Sequence, residues 1–421
     1  MPNLSVTHLG HGQAPAACAS KWISALETLI LEIPEDQRMQ ITSICCSGTS
    51  ASCLVVDVGR EDRCTVTRLP RMYDYNVVSQ LPSYGQRAID TIARYAPPDS
   101  PALAPTSTLP KLIAWNLEKR LENDEKLVHQ ADLIAGHLMH DMIFSSKTNQ
   151  MSHLFTSDWN NALKLGFDVQ NLQYPVWMSE LLAQEGMDLS ILPSVVEPGF
   201  NVGTVCDSVA KRLELPKNIK VMAGTTDSIA AFLASGASKS GQAVSSLGST
   251  LAIKMLSDIA VEDSNRGIYS HRLGNQWLVG GASNVGCAVL RQEGFSNEEL
   301  VNLSKDIDPS VDSKLEYYPL TKKGERFPEN DPNKEPVLSP VPESRREYLH
   351  GILQGITMCE KKGYSALVDL GSTKPTEIFT AGGGSKNTMW TRMRERIIGV
   401  KTSQAANIDA AYGAALLGCR L

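Results

Sequence analysis

The sequence predicts an α/β protein of two domains, and three observations carry that reading. Strand-length apolar runs alternate with helix-length amphipathic stretches along both halves of the chain. A length of 421 residues allows two or three domains of about 150 residues each, and either half is long enough to bury its own core. Residues 213–218 are polar and carry Pro216. The texture changes after them, which puts the expected domains at 1–216 and 217–421.

The elements follow in order. Residues 18–33 predict an amphipathic helix, because Trp22, Leu26, Leu29, Ile30 and Ile33 fall on one face at helical spacing. Pro34 stops it. Residues 41–44 read as a buried strand, 47–50 as a turn and 53–57 as a second strand. The Pro-, Ser- and Thr-rich stretch 96–110 is a loop, and the helix after it has Leu112, Trp115 and Leu117 among its apolar positions. Residues 140–157 show no clean period, and 141–155 read as a surface insert. Residues 158–166 return to a loop-then-helix texture.

In the second half, 219–223 read as a strand, 224–227 as a turn and 228–234 as an apolar helix. Strands 242–247 and 251–255 flank the turn 248–250, and 268–271 pairs with 276–279. Residues 321–344 are charged and carry Pro328, Pro332, Pro336, Pro340 and Pro342, so they cross the surface in extended form. A helix at 345–362 buries Tyr348, Leu349, Ile352, Leu353 and Ile356. Strand 377–380, glycine loop 381–385, helix 387–398 and a small-residue helix at 409–418 complete the chain.

Composition narrows the function. Lys plus Arg number 40 against 46 Asp plus Glu, a formal charge of -6. An acidic chain is a poor general binder of nucleic acid, which needs basic surface for its phosphates. No 18-residue apolar run exists to span a membrane, and no signal peptide is visible. The nine cysteines contain no C-x-x-C, which points to buried reduced thiols. The eight histidines show no metal-ligand spacing, so no metal ligand is assigned.

Three local motifs can carry chemistry. Gly382-Gly383-Gly384 joins a strand to a helix, where backbone N–H groups can meet an anion; an ordinary turn is the competing reading, and no Walker or dinucleotide fingerprint accompanies it. Gly248-Ser249-Thr250 is either a second phosphate-facing turn or a plain hairpin turn. Gly224-Thr225-Thr226-Asp227 opens a helix, so Asp227 is either a first-turn carboxylate or a general base at a strand end.

As an ordered set, VMAGTTDSIAA (221–231), VSSLGST (244–250), GGASN (280–284), GERFP (324–328) and TAGGGSKN (380–387) resemble the FGGY family of carbohydrate kinases. Within it they look closest to the plant and cyanobacterial, xylulose-kinase-like, D-ribulose kinases. Ser47-Gly48-Thr49-Ser50 and DWNNALKLG (158–166) resemble that subgroup too. The resemblance implies a two-lobed actin-like ATPase (ribonuclease H-like) fold, with a sugar-binding first lobe, a nucleotide-binding second lobe, and ATP and sugar meeting in the cleft. It implies ATP and Mg²⁺ as cofactors, Asp227 as the base that deprotonates the sugar, and Ser50 as a sugar contact. Gly248, Ser249 and Thr250, with Gly382, Gly383, Gly384 and nearby Asn387, are the implied nucleotide and phosphate contacts. The implied acceptor is D-ribulose, with D-xylulose as the alternative. An actin-like chaperone is disfavoured, because the Ser47 turn and the Asp158 segment resemble sugar kinases specifically. The implied compartment is cytoplasm or plastid stroma.

One departure stands out. The family's first lobe opens on a hairpin carrying Asp-x-Gly-Thr, and no acidic residue precedes Glu27 here. The expectation is a first lobe lacking that hairpin, and hence weak turnover or a sugar-kinase relative that binds without turning over.

Overall fold

The computed structural model describes residues 15–59, 65–141 and 155–419. The chain forms two compact units, Met1–Ala230 with Ala414–Leu421, and Ala231–Gly413. The boundary therefore falls later than the expected 216/217. Residues 220–226 form a strand that pairs with the first unit's 43–48 strand, and backbone hydrogen bonding of that kind assigns a segment more firmly than the polarity of the stretch before it. The last helical turns also belong to the first unit.

The first unit opens with α1 (Pro15–Leu31). Its buried positions include Ala19, Ile23 and Ile30, while Leu29 is 47% exposed. Of the expected face Ile30 is buried, Trp22 and Leu26 are partly buried against two separate small cores, and Leu29 turns outward while Ile23 takes an inner position. Strands β1 (Ser43–Gly48), β2 (Cys53–Asp57), β3 (Thr65–Arg71) and β4 (Glu125–His129) follow, with α2 (Thr108–Glu118) between β3 and β4 and α3 (Gln130–His140) after β4. Next come β5 (Thr156–Asp158), α4 (Trp159–Ala162), β6 (Ser194–Val196), β7 (Asn201–Thr204) and β8 (Lys220–Thr226). One sheet has the order β1-β8-β7, another β3-β2-β4, and β5 pairs with β6. β1 and β2 never pair, so the turn between them carries the chain from one sheet to another. Most of the expected insert, residues 142–154, lies outside the described residues. Its flanks Asp141 and Phe155 are buried.

Helix α5 (Asp227–Ala234) leads into the second unit. There β9 (Gln242–Leu247), β10 (Leu251–Ser257), β11 (Tyr269–Leu273), β12 (Gln276–Ala282), β13 (Glu377–Ala381) and β14 (Lys401–Gln404) form one sheet of order β11-β12-β10-β9-β13-β14. The connecting helices include α6 (Ala288–Gln292), α7 (Arg345–Asp369) and α8 (Thr388–Ile398), and α9 (Ala410–Gly418) ends the chain's described structure. The predicted face of α7 is the buried one, with Tyr348, Leu349, Ile352, Leu353 and Ile356 packed on Leu247, Ile253, Trp390 and Met393. The helix runs on to Asp369, past the expected end at 362. Inside this core Arg394 grips Glu360 at two points, each 2.7 Å, and reaches Thr380 Oγ1 at 2.6 Å. Ser245 Oγ also donates to Glu360. A fully buried ion pair is better tolerated where further hydrogen bonds, here to Thr380 and from Ser245, support it.

Cys45, Cys46, Cys53, Cys206, Cys287, Cys359 and Cys419 are free. Burial pushes the Cys45 and Cys46 thiols up to about 12. Among the described residues no helix is long and apolar enough to cross a membrane.

Candidate active site

β1 and β8 run parallel, with Gly48 opposite Thr226. Their carboxyl ends therefore coincide, and ligands of open α/β sheets bind outside such ends. The turn Thr49–Ser52 leaves β1 beside Asp227, the first residue of α5. The segment 224–226, expected as a turn, is strand up to Thr226. Its two β-branched threonines favour extended backbone, and Gly224 allows the strand to close on its neighbour, since a Cβ there would stand 1.9 Å from the Cys46 carbonyl oxygen.

Asp227 is half-buried, and its Oδ1 accepts from the Ser228 N–H at 2.6 Å. Around it lie polar atoms that nothing in the protein satisfies. Among the described residues, Ser50 Oγ, Asn160 Oδ1 and Thr226 Oγ1 are buried without a hydrogen-bond partner. Asn160 is fixed by its own amide, which donates to Thr225 Oγ1 at 3.1 Å. It sits on α4, whose cap is the buried Asp158. That carboxylate accepts from the N–H groups of Asn160 and Asn161 at 2.8 and 3.1 Å and from Asn161 Nδ2 at 2.6 Å. Burial pushes it up to about 7 even so. Lys164, one turn on, is half-buried. Burial lowers its pKa, and the Asp227 charge works the other way. Buried polar atoms are normally paired, so a cluster of orphans is where hydroxyl groups of a ligand fit.

The Ser50 turn is held from beneath. Lys111, fully buried on α2, donates to the carbonyl oxygens of Ala51 at 2.8 Å and Met72 at 2.7 Å. Ala51 itself is left-handed, with φ +64°. Gln130 Oε1 accepts from the Thr49 N–H at 3.2 Å and from Thr49 Oγ1 at 3.1 Å.

The second unit brings its two glycine motifs together. β9 and β13 are parallel neighbours, with Ser246 opposite Ala381, so Gly248 and Gly382 leave the sheet side by side. Gly382 has φ +82°, and a Cβ on it would stand 2.7 Å from the Leu247 carbonyl oxygen; no other residue fits there. A Cβ on Gly383 would have nothing within 4 Å, so that loop presents bare backbone outward. In the hairpin turn, the Gly248 and Ser249 carbonyls accept from the N–H groups of Cys287 and Ala288 at 2.9 and 3.1 Å. Each peptide is planar and trans, so the N–H groups of Ser249 and Thr250 are aimed the opposite way, as an anion needs. Asn387, expected as a nucleotide contact, is engaged in structure. Its Oδ1 accepts from the Trp390 N–H at 3.0 Å and its Nδ2 donates to Ser304 at 2.8 Å, so it caps α8 and braces the loop.

The motifs 280–284 and 324–328 form one joint. Buried Glu325 accepts from Ser283 Oγ at 2.7 Å, the Asn284 N–H at 2.6 Å and the Tyr318 hydroxyl at 3.0 Å. They fasten the second unit rather than line a site.

Residues 238–421 match the C-terminal domain of the FGGY family of carbohydrate kinases. This stretch is similar to that domain. It holds both glycine motifs. Over 321 residues the chain is 24% identical to a xylulose kinase of Staphylococcus xylosus, an alignment covering 74% of this chain and 63% of that protein. It is also 24% identical to an L-fuculokinase of Escherichia coli, over 70% of this chain and 62% of the other. The chain thus spans under two thirds of the length of these curated relatives. The fold is that of solved sugar kinases. A xylulose kinase of Rhodospirillum rubrum superposes with TM-score 0.75 at 18% identity, over 95% of this chain and 80% of the other. A Plasmodium falciparum glycerol kinase solved with ADP gives 0.70 at 15%, over 95% and 80%. Both share the FGGY kinases' α/β, actin-like ATPase architecture.

Lys111, Asn160, Thr226 and Lys164 were not picked out by sequence reading. Thr226 and Asn160 stood inside quoted motifs, but which side chain is left unpaired depends on the packing of β8 against α4.

Proposed function

We propose that this chain is an ATP-dependent carbohydrate kinase whose acceptor is a ketopentose, D-ribulose first and D-xylulose second. The observation that carries the reading is the half-buried Asp227 carboxylate at the end of β8, next to the unsatisfied Ser50 Oγ, Asn160 Oδ1 and Thr226 Oγ1. That set offers a proton acceptor and several fixed hydrogen-bonding groups for a polyhydroxylated substrate.

In this reading Ser50, Asn160 and Thr226 hold the sugar, and Asp227 takes the proton of the attacking hydroxyl as its oxygen bonds to the γ-phosphorus of ATP. ADP leaves with the bridging oxygen. The N–H groups of Ser249 and Thr250 and the glycine backbone at 382–384 carry the phosphates. Among the described residues no three His, Cys, Asp or Glu side chains gather as a metal site. Mg²⁺ usually takes one or two carboxylates plus phosphate oxygens, and Asp227 fits that modest demand. When bound it supplies charge neutralisation on the phosphates.

The test is phosphorylation by the purified chain with ATP and, separately, D-ribulose, D-xylulose, L-fuculose and glycerol, with products weighed by mass spectrometry. The highest kcat/KM is expected on D-ribulose. Turnover of L-fuculose or glycerol above both ketopentoses would refute the substrate class, and no phosphorylation of any of them would refute the kinase reading.

A further inference from the structure

Beside the phosphate turn stands a cation with no carboxylate of its own. Arg291, on α6, is exposed, and its Nη2 donates to Ser249 Oγ at 3.0 Å. Among the described residues it enters no ion pair. Its neighbours in sequence are spoken for: Glu293 accepts from the Tyr348 hydroxyl at 2.8 Å, and Arg345 donates to the Glu293 carbonyl oxygen. The helix that carries Arg291 also supplies, from Cys287 and Ala288 at its start, the N–H groups that turn the Gly248 and Ser249 carbonyls away from the open side. One short element thus orients the turn's amides and places a guanidinium at its lip.

We propose that Arg291 is a phosphate-binding residue of the nucleotide site, moving from the Ser249 hydroxyl onto the terminal phosphates of the bound nucleotide. The inference rests on the nucleotide-site reading above and deepens it. A hydroxyl is a weak resting partner for a guanidinium, and exchange for a phosphate gains a charge-assisted, two-point contact. Ser249 then serves as the perch that keeps a long, flexible side chain near its ligand. The prediction is selective. Arg291 should matter for a nucleotide with β- or γ-phosphates and little for one ending at the α-phosphate.

Calorimetric titration of ADP and AMP into the full chain, wild type, Arg291→Gln and Arg291→Lys, tests this. Arg291→Gln should weaken ADP by about tenfold or more, equivalent to about 1.4 kcal/mol, and leave AMP nearly unchanged. Arg291→Lys should recover part of the loss, as a point charge without the fork. Because the side chain is exposed, all three proteins should melt alike. ADP binding unaltered in Arg291→Gln, or ADP and AMP weakened equally, would overturn the proposal while leaving the nucleotide site standing. A wild-type chain that binds neither ADP nor AMP would overturn the nucleotide site, and this inference with it.

Discussion

Lys111 and Ala51 meet at 2.8 Å, ammonium to carbonyl, across 60 residues of sequence. Ala51 is fully buried and left-handed, a conformation an alanine adopts only when its surroundings impose it. The buried lysine holds the Ala51 carbonyl in place, and with it one side of the turn that carries Ser50.

Removing that group should therefore be costly. Lys111→Met leaves the Ala51 and Met72 carbonyls unpaired, at about 2–5 kcal/mol for the two. A pH signature separates this from a packing defect. Burial lowers the Lys111 pKa from 10.5 to about 8, so between those values the unfolded chain binds the extra proton and the folded one does not. Stability from this group is complete above 10.5 and is lost as pH falls toward 8. The neutral amine still has two N–H groups for its two acceptors. Urea unfolding from about pH 8 to about pH 10 should show the wild type gaining on Lys111→Met; a gap that does not widen would contradict the assignment.

Thr226→Val should stabilise the free protein and impair it as an enzyme. The hydroxyl is buried and unpartnered, and replacing it by a methyl of the same shape relieves a desolvation cost of about 1 kcal/mol. The sugar loses a partner, and KM for the ketopentose should rise by about tenfold. A melting temperature that falls, with KM unmoved, would show that Thr226 Oγ1 is satisfied by something other than substrate.

Asp227→Asn should lower turnover by roughly 10²–10⁴-fold, the range for loss of a general base, and leave ADP affinity as it was, because the glycine motifs belong to the second unit. Turnover measured beside ADP calorimetry decides it. Equal turnover in the two proteins would end the base assignment.

Much of this was legible in the sequence where the determining interactions are local. The β9–β10 turn, the Gly382 loop and the core face of α7 depend on neighbours within one helix or hairpin, and each stood where periodicity placed it. The misread segments depend on distant partners. Residues 224–226 look like a turn by composition, yet pairing with β1 about 180 residues earlier, as at Cys45↔Met222, holds them extended. Lys111 reads as an ordinary polar position of a helix, since nothing near it announces that Ala51 and Met72 will close over its ammonium. Asn387 shows the opposite case. It adjoins the glycine loop in sequence, but the free N–H groups at the start of α8 claim its side chain first.

The return of α9 sets an order of events in synthesis. Ser43 Oγ donates to the Gly418 carbonyl at 2.8 Å, and residues 414–421 complete a unit begun at the other end of the chain. All of 231–413 must leave the ribosome in between, about 10–40 s at ordinary elongation rates. During that interval β1, the strand that carries the Ser50 turn, waits without its covering helix. A fusion placed after Gly418 therefore burdens the first unit rather than the second.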